Sequence, residues 1–353
     1  MGSKVKRFLH QFFKIFIIFM IATLAINLIL FGILYAYHRS KCNDEEVYMN
    51  EPGVMVEVDG KYIHVYEAGD KDAEKTIVFI HDGLSSDDSI AIQPLFDELS
   101  EYHLVYIDRS GYGFTESSGT DKDIDSILQE TRGALEACDI SGPYILMASG
   151  TGGLEALYWA HTYEEEVEAI IGIDMNYPEQ FDGITTDEYT GFFDWLMYKL
   201  TSIGAMRLSG SVYPNDFNDI YSDLQMNTRN AIISQRGYTQ DMYLENYYTI
   251  DNAALVEELG IPENTPMYML LANPLLEPYI NDDEDTRTTY ESVKDDDDDE
   301  FDYVSAYCQS DEEYYDEYDN ITYEEMSGPS RLYTYDPEGV AEKVKDYISN
   351  NLQ

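Results

Sequence analysis

The sequence predicts an α/β fold with a mostly parallel, doubly wound sheet, preceded by one transmembrane helix. Two patterns predict the sheet: short runs of β-branched residues recur along the chain, and segments with helical spacing of apolar residues separate them. A third pattern, a long uncharged run near the N-terminus, predicts the membrane helix. Together they indicate a membrane segment followed by one large domain.

The uncharged run covers residues 15–37, a stretch of 23 residues. A helix needs about 20 apolar residues to cross a bilayer, whereas a cleaved secretory signal has an apolar stretch of about 7–15. Bases precede the run and acids dominate after it, so the positive-inside rule predicts a cytoplasmic N-terminus. We therefore expect a single-pass protein of the cell membrane, held by this helix, with the following domain outside. A buried core helix is the alternative interpretation.

The part of the chain after this run is strongly acidic. The first 43 residues hold six bases and no acid, so all 69 acids lie beyond Asn43, against 15 bases. Such a surface repels phosphate backbones, which excludes nucleic-acid binding. It is either a solvated, soluble surface or one that meets cationic wall polymers or loosely held divalent cations. Three widely spaced cysteines form neither a disulfide framework nor a metal-ligand motif, and we expect no metal and no cofactor.

The outer domain alternates between strands and helices. Residues 54–69 alternate apolar and polar side chains around Asp59-Gly60, a dipeptide typical of two-residue hairpin turns. Four further buried strands are predicted before residue 177, with helices between them. Their sequences are KTIVFI, HLVYID, YILMA and VEAIIGID.

The segment 177–262 interrupts this alternation. It has helical character, is rich in aromatic residues and methionine, and contains no strong strand run, which predicts a helical cap over the strand ends. The sheet resumes with PMYMLLAN and NITYEEM, and a final helix closes the domain. Between these two strands, residues 281–326 hold 20 acids and two bases. This composition is typical of a solvated loop, and a calcium site is the alternative.

These patterns give the predicted organisation of the chain. The core is expected to form a single sheet that the cap interrupts in sequence. The divisions are a basic cytoplasmic tail (1–14), the transmembrane helix (15–37), a linker (38–47), a first core part (48–176), the cap (177–262) and a second core part (263–353) that contains the acidic loop (281–326).

The turn between the strand YILMA and the helix GGLEALYWA resembles a nucleophile elbow. This strand–turn–helix, written small-x-Ser-x-Gly, carries the reactive serine of α/β-hydrolases. The strings DRSGYGFTES and DPEGVAEKV add to the resemblance, so the chain from about Val54 to its end is similar to the α/β-hydrolase family. The resemblance implies that family's fold, with a serine, an acid and a histidine gathered at the carboxyl ends of the strands.

On the family's elbow, Gly150 takes the place of the nucleophile and Ser149 that of the histidine often found before it. Glycine has no side chain, so nothing at that position can attack a carbonyl. Ser149 is the fallback nucleophile, but this choice would put Met147 and Thr151 where the turn needs small residues. The resemblance therefore predicts an elbow without a working nucleophile.

The other catalytic groups of the family are altered as well. The family's histidine follows the acid along the chain, but no histidine follows His161 here. Ser330 takes the histidine's place, and a hydroxyl cannot accept a proton near neutral pH. The acid is expected just after the strand PMYMLLAN, where Glu277 is the candidate and a surface charge is the alternative interpretation.

The loop after the strand KTIVFI is the predicted oxyanion region. His81 matches the family's histidine, Asp82 replaces the glycine that usually follows, and Gly83 comes next; Thr151 completes the region from the elbow. A carboxylate of Asp82 that points inward would oppose a developing oxyanion. The same four residues are the predicted lining of a ligand pocket.

Three hypotheses about function follow from these substitutions. The first is a pseudoenzyme, a hydrolase scaffold that binds an unknown small ligand or an envelope or surface protein. The second is an active esterase or peptidase that uses a non-standard site. The third is a structural surface protein that acts through its acidic face. A probe that labels activated serines separates the second hypothesis from the other two.

Overall fold

The computed structural model of the chain describes residues 3–50, 52–208, 220–273, 311–312 and 314–352. Glu277, the aspartate run 295–299 and most of the predicted acidic loop lie outside the described residues.

A single long helix, α1 (Ser3–Glu45), forms the N-terminal part of the structure. Among the described residues it is the one helix long and apolar enough to cross a membrane, and no part of its apolar stretch is buried in the protein. This is consistent with a signal anchor or a signal sequence. The helix continues past the predicted span through residues 38–45, which the sequence suggested as linker, and a 3-10 turn (Glu46–Tyr48) follows it.

One eight-stranded sheet forms the centre of the domain, in the order β1-β2-β4-β3-β5-β6-β7-β8. β2 runs antiparallel to both of its neighbours, and all the other pairs are parallel. This confirms the predicted fold class. The strands are β1 (Val54–Val58), β2 (Lys61–Gly69), β3 (Thr76–Ile80), β4 (His103–Asp108), β5 (Tyr144–Gly150), β6 (Val167–Met175), β7 (Met267–Asn273) and β8 (Ile321–Ser327).

Helices follow most of the strands, as the sequence predicts. Several begin at a side-chain cap; the Asp123 carboxylate, for example, accepts a hydrogen bond from the Ser126 N–H at 3.0 Å. The helices are α2 (Asp88–Ala91), α3 (Gln93–Glu98), α4 (Ile124–Ala137), α5 (Gly152–Thr162), α6 (Thr186–Tyr189), α7 (Phe192–Thr201), α8 (Asp223–Arg236), α9 (Gln240–Leu259), α10 (Leu332–Tyr335) and α11 (Pro337–Asn351), with further 3-10 turns at Glu164–Glu166, Pro178–Phe181 and Ala205–Leu208.

The two faces of the sheet pack against different helices. Along β3, Ile77 and Phe79 face a layer that contains α3 and α11, whereas Val78 and Ile80 face a layer that contains α4 and α5. This alternation is expected of a strand buried on both faces. The core therefore consists of two apolar layers, one on each side of the sheet.

Helices α6–α9 lie between β6 and β7 and form the predicted cap. α9 packs on the core, because its Ala253 and Val256 join the layer of α4 and α5. Its Glu245 is buried and forms an ion pair with Arg109, the residue that follows β4. The cap thus lies over the carboxyl ends of the parallel strands, where ligand sites of this type of sheet are usually found.

Buried Glu130 of α4 fixes the loop between β4 and α4. Its carboxylate accepts hydrogen bonds from the Ser110 N–H at 2.9 Å and from the Ser110 hydroxyl, and it lies 3.3 Å from the Lys122 ammonium. Burial alone would raise the pKa of Glu130, but the charge of Lys122 and the bonds from Ser110 outweigh burial and lower the pKa to about 2.

Ionised Glu130 is therefore expected to stabilise the fold in neutral but not in strongly acidic solution. Since its pKa falls from an ordinary 4.5 to about 2 on folding, the stabilisation is complete above about pH 4.5 and is lost as the pH falls towards 2. A shift of this size corresponds to ~3 kcal/mol. The variant Glu130→Gln should lose most of that free energy of unfolding at pH 7 and show a flatter dependence on pH below 4.5.

Urea unfolding of the detergent-solubilised protein at several pH values measures this effect. Glu136→Gln, at an exposed position of the same helix, is the matched control. The same pH dependence in the wild type and in Glu130→Gln would show that Glu130 does not carry the effect.

Candidate functional site

The elbow between β5 and α5 is a very tight turn. Gly150 ends the strand with φ +51°, in the left-handed region that favours glycine, and only Thr151 separates it from the helix that begins at Gly152. A Cβ on Gly152 would lie 2.5 Å from the Ile80 carbonyl oxygen, so this position accepts only glycine. The turn therefore has the close packing of an elbow, with a glycine at the position that the resemblance assigns to the nucleophile.

The Asp82 carboxylate fills the space in front of Gly150. A Cβ on Gly150 would lie 2.5 Å from the Asp82 Cγ. Asp82 Oδ1 accepts hydrogen bonds from the Thr151 N–H at 3.2 Å and from the Thr151 hydroxyl at 3.1 Å. A negative charge from the loop after β3 thus occupies the volume that a side chain at the elbow would enter.

Both backbone donors of the oxyanion region are already engaged. In α/β-hydrolases these donors are the N–H after the nucleophile and an N–H from the loop after β3. Here the Thr151 N–H donates to Asp82, and the Gly83 N–H donates to the Thr151 hydroxyl oxygen at 2.9 Å. A Cβ on Gly83 would lie 2.8 Å from that hydroxyl, so the close approach depends on glycine. No free pair of donors faces a substrate in this arrangement.

An acid that sequence reasoning missed lies beside the elbow. Asp174 is at the end of β6, next to Met175, which pairs with Gly150 in the sheet. The Ser330 hydroxyl donates a hydrogen bond to Asp174 Oδ2, and the Ala272 N–H donates to Oδ1 at 3.2 Å. Burial raises the pKa of the Asp174 carboxyl above its ordinary value.

Asp174 and Ser330 together form an acid–hydroxyl pair at the place where an acid–histidine pair would be expected. The structure thus places Ser330 on Asp174 at the end of β6, the strand that pairs with the elbow strand β5. It gives Ser330 an acid from β6, whereas the suggested Glu277 follows β7 and lies outside the described residues. The sequence signal for this acid is that Asp174 ends the predicted strand VEAIIGID. Glu277 was expected in the equivalent place, after the next predicted strand.

His81 is buried and supports the loop that carries Asp82. Its Nδ1 lies 2.9 Å from the Asp82 carbonyl oxygen, which accepts the proton of that nitrogen. The ring packs against the rings of Tyr106 and Tyr112, with centroids 5.7 and 4.5 Å away. Burial and the nearby charge of Arg109 hold the pKa of His81 well below its ordinary value, so the imidazole is neutral.

Arg109 joins the loop, the elbow helix and the cap in one buried ionic network. Its guanidinium pairs with Glu155 of α5 at 2.9 Å and with Glu245 of α9 at 2.5 Å, and it donates to the His81 carbonyl oxygen at 3.2 Å. All three charged side chains are nearly inaccessible to solvent. Sequence reasoning noticed the string DRSGYGFTES but did not assign this role to its arginine.

Ser149, the fallback nucleophile, is a strand residue and not part of the turn. It pairs with Ile173 of β6 and is only 2% exposed. Among the described residues, no group of three or more histidine, cysteine or acidic side chains is arranged to hold a metal ion. The polar groups around Gly150 are therefore two hydrogen-bonded carboxylates, those of Asp82 and Asp174.

Comparisons with known proteins show which family and which fold the chain has. No protein-family model matches the chain. The uncharacterized protein YbdG of Bacillus subtilis (strain 168) is 30% identical over 266 residues, which are 73% of this chain and 80% of YbdG.

Solved structures match at lower identity. The esterase EaEST from Exiguobacterium antarcticum matches with a TM-score of 0.55 and 15% identity, over 85% of this chain and 100% of the esterase. A loop variant of the haloalkane dehalogenase DbeA from Bradyrhizobium elkanii matches with a TM-score of 0.52 and 12% identity, over 84% of this chain and 95% of that enzyme. Identities this low carry information about the fold alone. The chain therefore belongs to the same family as YbdG and has the α/β-hydrolase fold.

Proposed function

We propose that this protein is a non-catalytic, α/β-hydrolase-like protein that is anchored in the cell membrane by α1 and acts outside the membrane by binding. The observation that carries the proposal is the Asp82 carboxylate, which lies against Gly150 and accepts the Thr151 N–H. This carboxylate fills the space of the missing nucleophile, and it also engages one of the two backbone donors of the oxyanion region.

The electrostatics of this arrangement oppose acyl transfer. Two unit charges 4 Å apart near a protein surface repel each other by about 4 kcal/mol. A working oxyanion hole stabilises the oxyanion by donated hydrogen bonds. Here an oxyanion formed at the elbow would instead be repelled by the negative charge of Asp82. The engaged donors Thr151 and Gly83 therefore favour an inactive site.

Among the residues that the structure describes, neither Ser330 nor His81 is suited to act as the base for hydrolysis. The Ser330 hydroxyl donates to Asp174, so it keeps its own proton and does not accept one. The His81 Nδ1 proton is held by a backbone oxygen, its ring packs against two tyrosines, and its Nε2 is buried without a hydrogen-bond partner. Burial and the charge of Arg109 hold the pKa of His81 well below its ordinary value, which makes Nε2 a weak base. These contacts give both groups a structural role.

The complete frame around the altered site supports a role in binding. The eight-stranded sheet, the tight elbow and the cap are all present, and Arg109 ties the cap to the sheet. A scaffold that keeps its shape while its reactive groups are replaced is suited to recognition of a small ligand or of an envelope or surface protein. The acidic composition favours partners with cationic groups.

The proposed membrane anchor is supported by the side chains of α1. From Ile15 to Leu30 all side chains except those of Thr23 and Asn27 are apolar, and all are exposed, which is unfavourable in water and favourable in a lipid bilayer. The excess of bases before the apolar run favours a cytoplasmic N-terminus.

Labelling with a fluorophosphonate tests the absence of catalysis. The probe bonds covalently to an activated serine, so the full-length protein in detergent should show no more labelling than its heat-denatured form. A known serine hydrolase in the same reaction shows that the probe is active. Labelling of the native protein that disappears in Ser149→Ala would instead identify an active enzyme and overturn the proposal.

A further inference from the structure

Helix α7 in the cap exposes an unusual number of aromatic side chains. Phe192 is 67% exposed, Phe193 77% and Trp195 41%, and the rings of Phe192 and Trp195 stack with their centroids 5.6 Å apart. Thr201 is the only buried residue of this helix. A surface helix normally hides one apolar face against the core. A cluster of exposed aromatics instead marks a surface that contacts something apolar.

The end of α7 lies next to the point where the apolar run of α1 ends. A Cβ on Gly204 would lie 2.6 Å from the His38 Cβ, and His38 is the first residue after the run 15–37. The Arg207 guanidinium donates to His38 Nδ1 at 3.0 Å and pairs with the Glu45 carboxylate at 2.6 Å. These contacts hold the segment after α7 beside the part of α1 that would leave the hydrocarbon core of a bilayer.

The lengths of α7 and of the linker after it limit how far α7 can lie from that part of α1. Only Ser202 and Ile203 separate Thr201 from Gly204, and an extended chain covers at most about 3.6 Å per residue. A helix of ten residues is about 15 Å long. Leu208, just beyond Arg207, is 70% exposed. These lengths allow the exposed aromatics and this leucine to reach the outer interfacial layer of a bilayer that α1 crosses.

The chemistry of the segment fits a lipid surface. Tryptophan and other aromatic side chains favour the boundary between headgroups and acyl chains. Unlike the rest of the domain, the segment 192–208 is not acidic: it contains Asp194 as its only acid, against Lys199 and Arg207. Repulsion by anionic headgroups is thus low here, and an interfacial segment of this kind lies with its apolar side chains about 5–10 Å deep.

We infer that α7 and Leu208 insert their exposed apolar side chains into the outer interfacial layer of the membrane that α1 spans. This inference rests on the proposed anchor. The contact would make a second attachment to the bilayer and would hold the domain with its cap towards the lipid, and not free to rotate at the end of α1.

The two tryptophans of the chain allow a direct test. Trp195 is exposed, whereas Trp159 is fully buried in the core. The full-length protein is reconstituted into lipid nanodiscs with and without lipids brominated near the headgroup end of the acyl chains, since bromine quenches tryptophan at short range. We expect loss of most of the emission from Trp195, defined as the difference between the wild type and Trp195→Phe. The emission of Trp195→Phe itself should hardly change.

The outcomes separate the inference from the anchor. Flotation of the protein with lipid measures the anchor, and failure to float would overturn the anchor and the inference together. If the protein floats but brominated lipid leaves Trp195 emission unchanged, only the inference is wrong. Neutral acrylamide then distinguishes the reasons: quenching shows that Trp195 faces water, and protection shows that a second copy or another protein covers it.

Discussion

Replacing Gly150 by serine, Ser330 by histidine and Asp82 by glycine together is expected to create measurable esterase activity. The three changes supply a nucleophile, supply a base and free the Thr151 N–H as an oxyanion donor. The acid need not be added, because Asp174 already contacts the side chain at position 330. General base catalysis contributes about 10²–10⁴-fold, so the triple variant should exceed every single variant by at least ~10²-fold.

The single variants are expected to stay at the background rate. Nucleophile and base act as a unit, so neither has an effect alone. Gly150→Ser should also be unstable by itself, because its Cβ would lie 2.5 Å from the Asp82 Cγ and its φ of +51° costs a serine about 1–3 kcal/mol. Asp82→Gly removes the contact but not the backbone strain.

Hydrolysis of an activated acetate ester by the purified variants measures this prediction. Asp174→Asn in the triple background is the matched control, and it should lower the rate if Asp174 positions the new imidazole. A triple variant that is folded and no faster than Gly150→Ser would contradict the assignment of positions 150 and 330. An unchanged rate with Asp174→Asn would contradict the assignment of the acid alone.

Replacing Arg109 by methionine is expected to destabilise the protein by about 3–5 kcal/mol, the usual effect of removing one partner from a buried ionic network. The change leaves the carboxylates of Glu155 and Glu245 buried without their shared cation. Burial of the guanidinium opposes its charge, but these two carboxylates outweigh burial and raise the pKa of Arg109. The cap should also loosen, because Glu245 belongs to α9.

Urea unfolding at pH 7 measures this loss, and two further variants are informative. The triple change Arg109→Met/Glu155→Gln/Glu245→Gln should recover much of the stability, because no unpaired charge remains. Arg132→Met breaks a partly exposed pair with Glu166 and should cost less than about 1 kcal/mol. Equal losses for Arg109→Met and Arg132→Met would show that the buried network does not hold the cap and loop.

The fold could be predicted from local patterns because each element leaves its own periodicity in the sequence. The hairpin around Asp59-Gly60 is an example: both residues have positive φ, as a two-residue turn of this kind requires. The parallel strands β3 to β7 were visible as short apolar runs because they are buried on both faces, unlike the edge strand β8. The end of α1 was less visible, because residues 38–45 are polar yet remain helical where Arg207 of the cap pairs with Glu45.

The site could be predicted only in part, because contacts between distant segments leave no local pattern. Gly150 and Ser330 could be proposed as site positions because their neighbours resemble family motifs. Asp82 was suspected from its type alone, and its contact with the elbow depends on the packing of β3 beside β5. Asp174 and Arg109 were missed, since an aspartate after a strand and an arginine in a turn look the same whether they face solvent or a buried partner.

The most direct test of the central claim, an elbow blocked by Asp82, is the hydrolysis of a small activated ester by the wild-type protein. The rate is compared with that of Ser149→Ala and with buffer alone. We predict three equal rates, because the position at Gly150 has no side chain and both oxyanion donors are engaged. Clear turnover by the wild type that is lost in Ser149→Ala would contradict this account and would make Ser149 the nucleophile of an active enzyme.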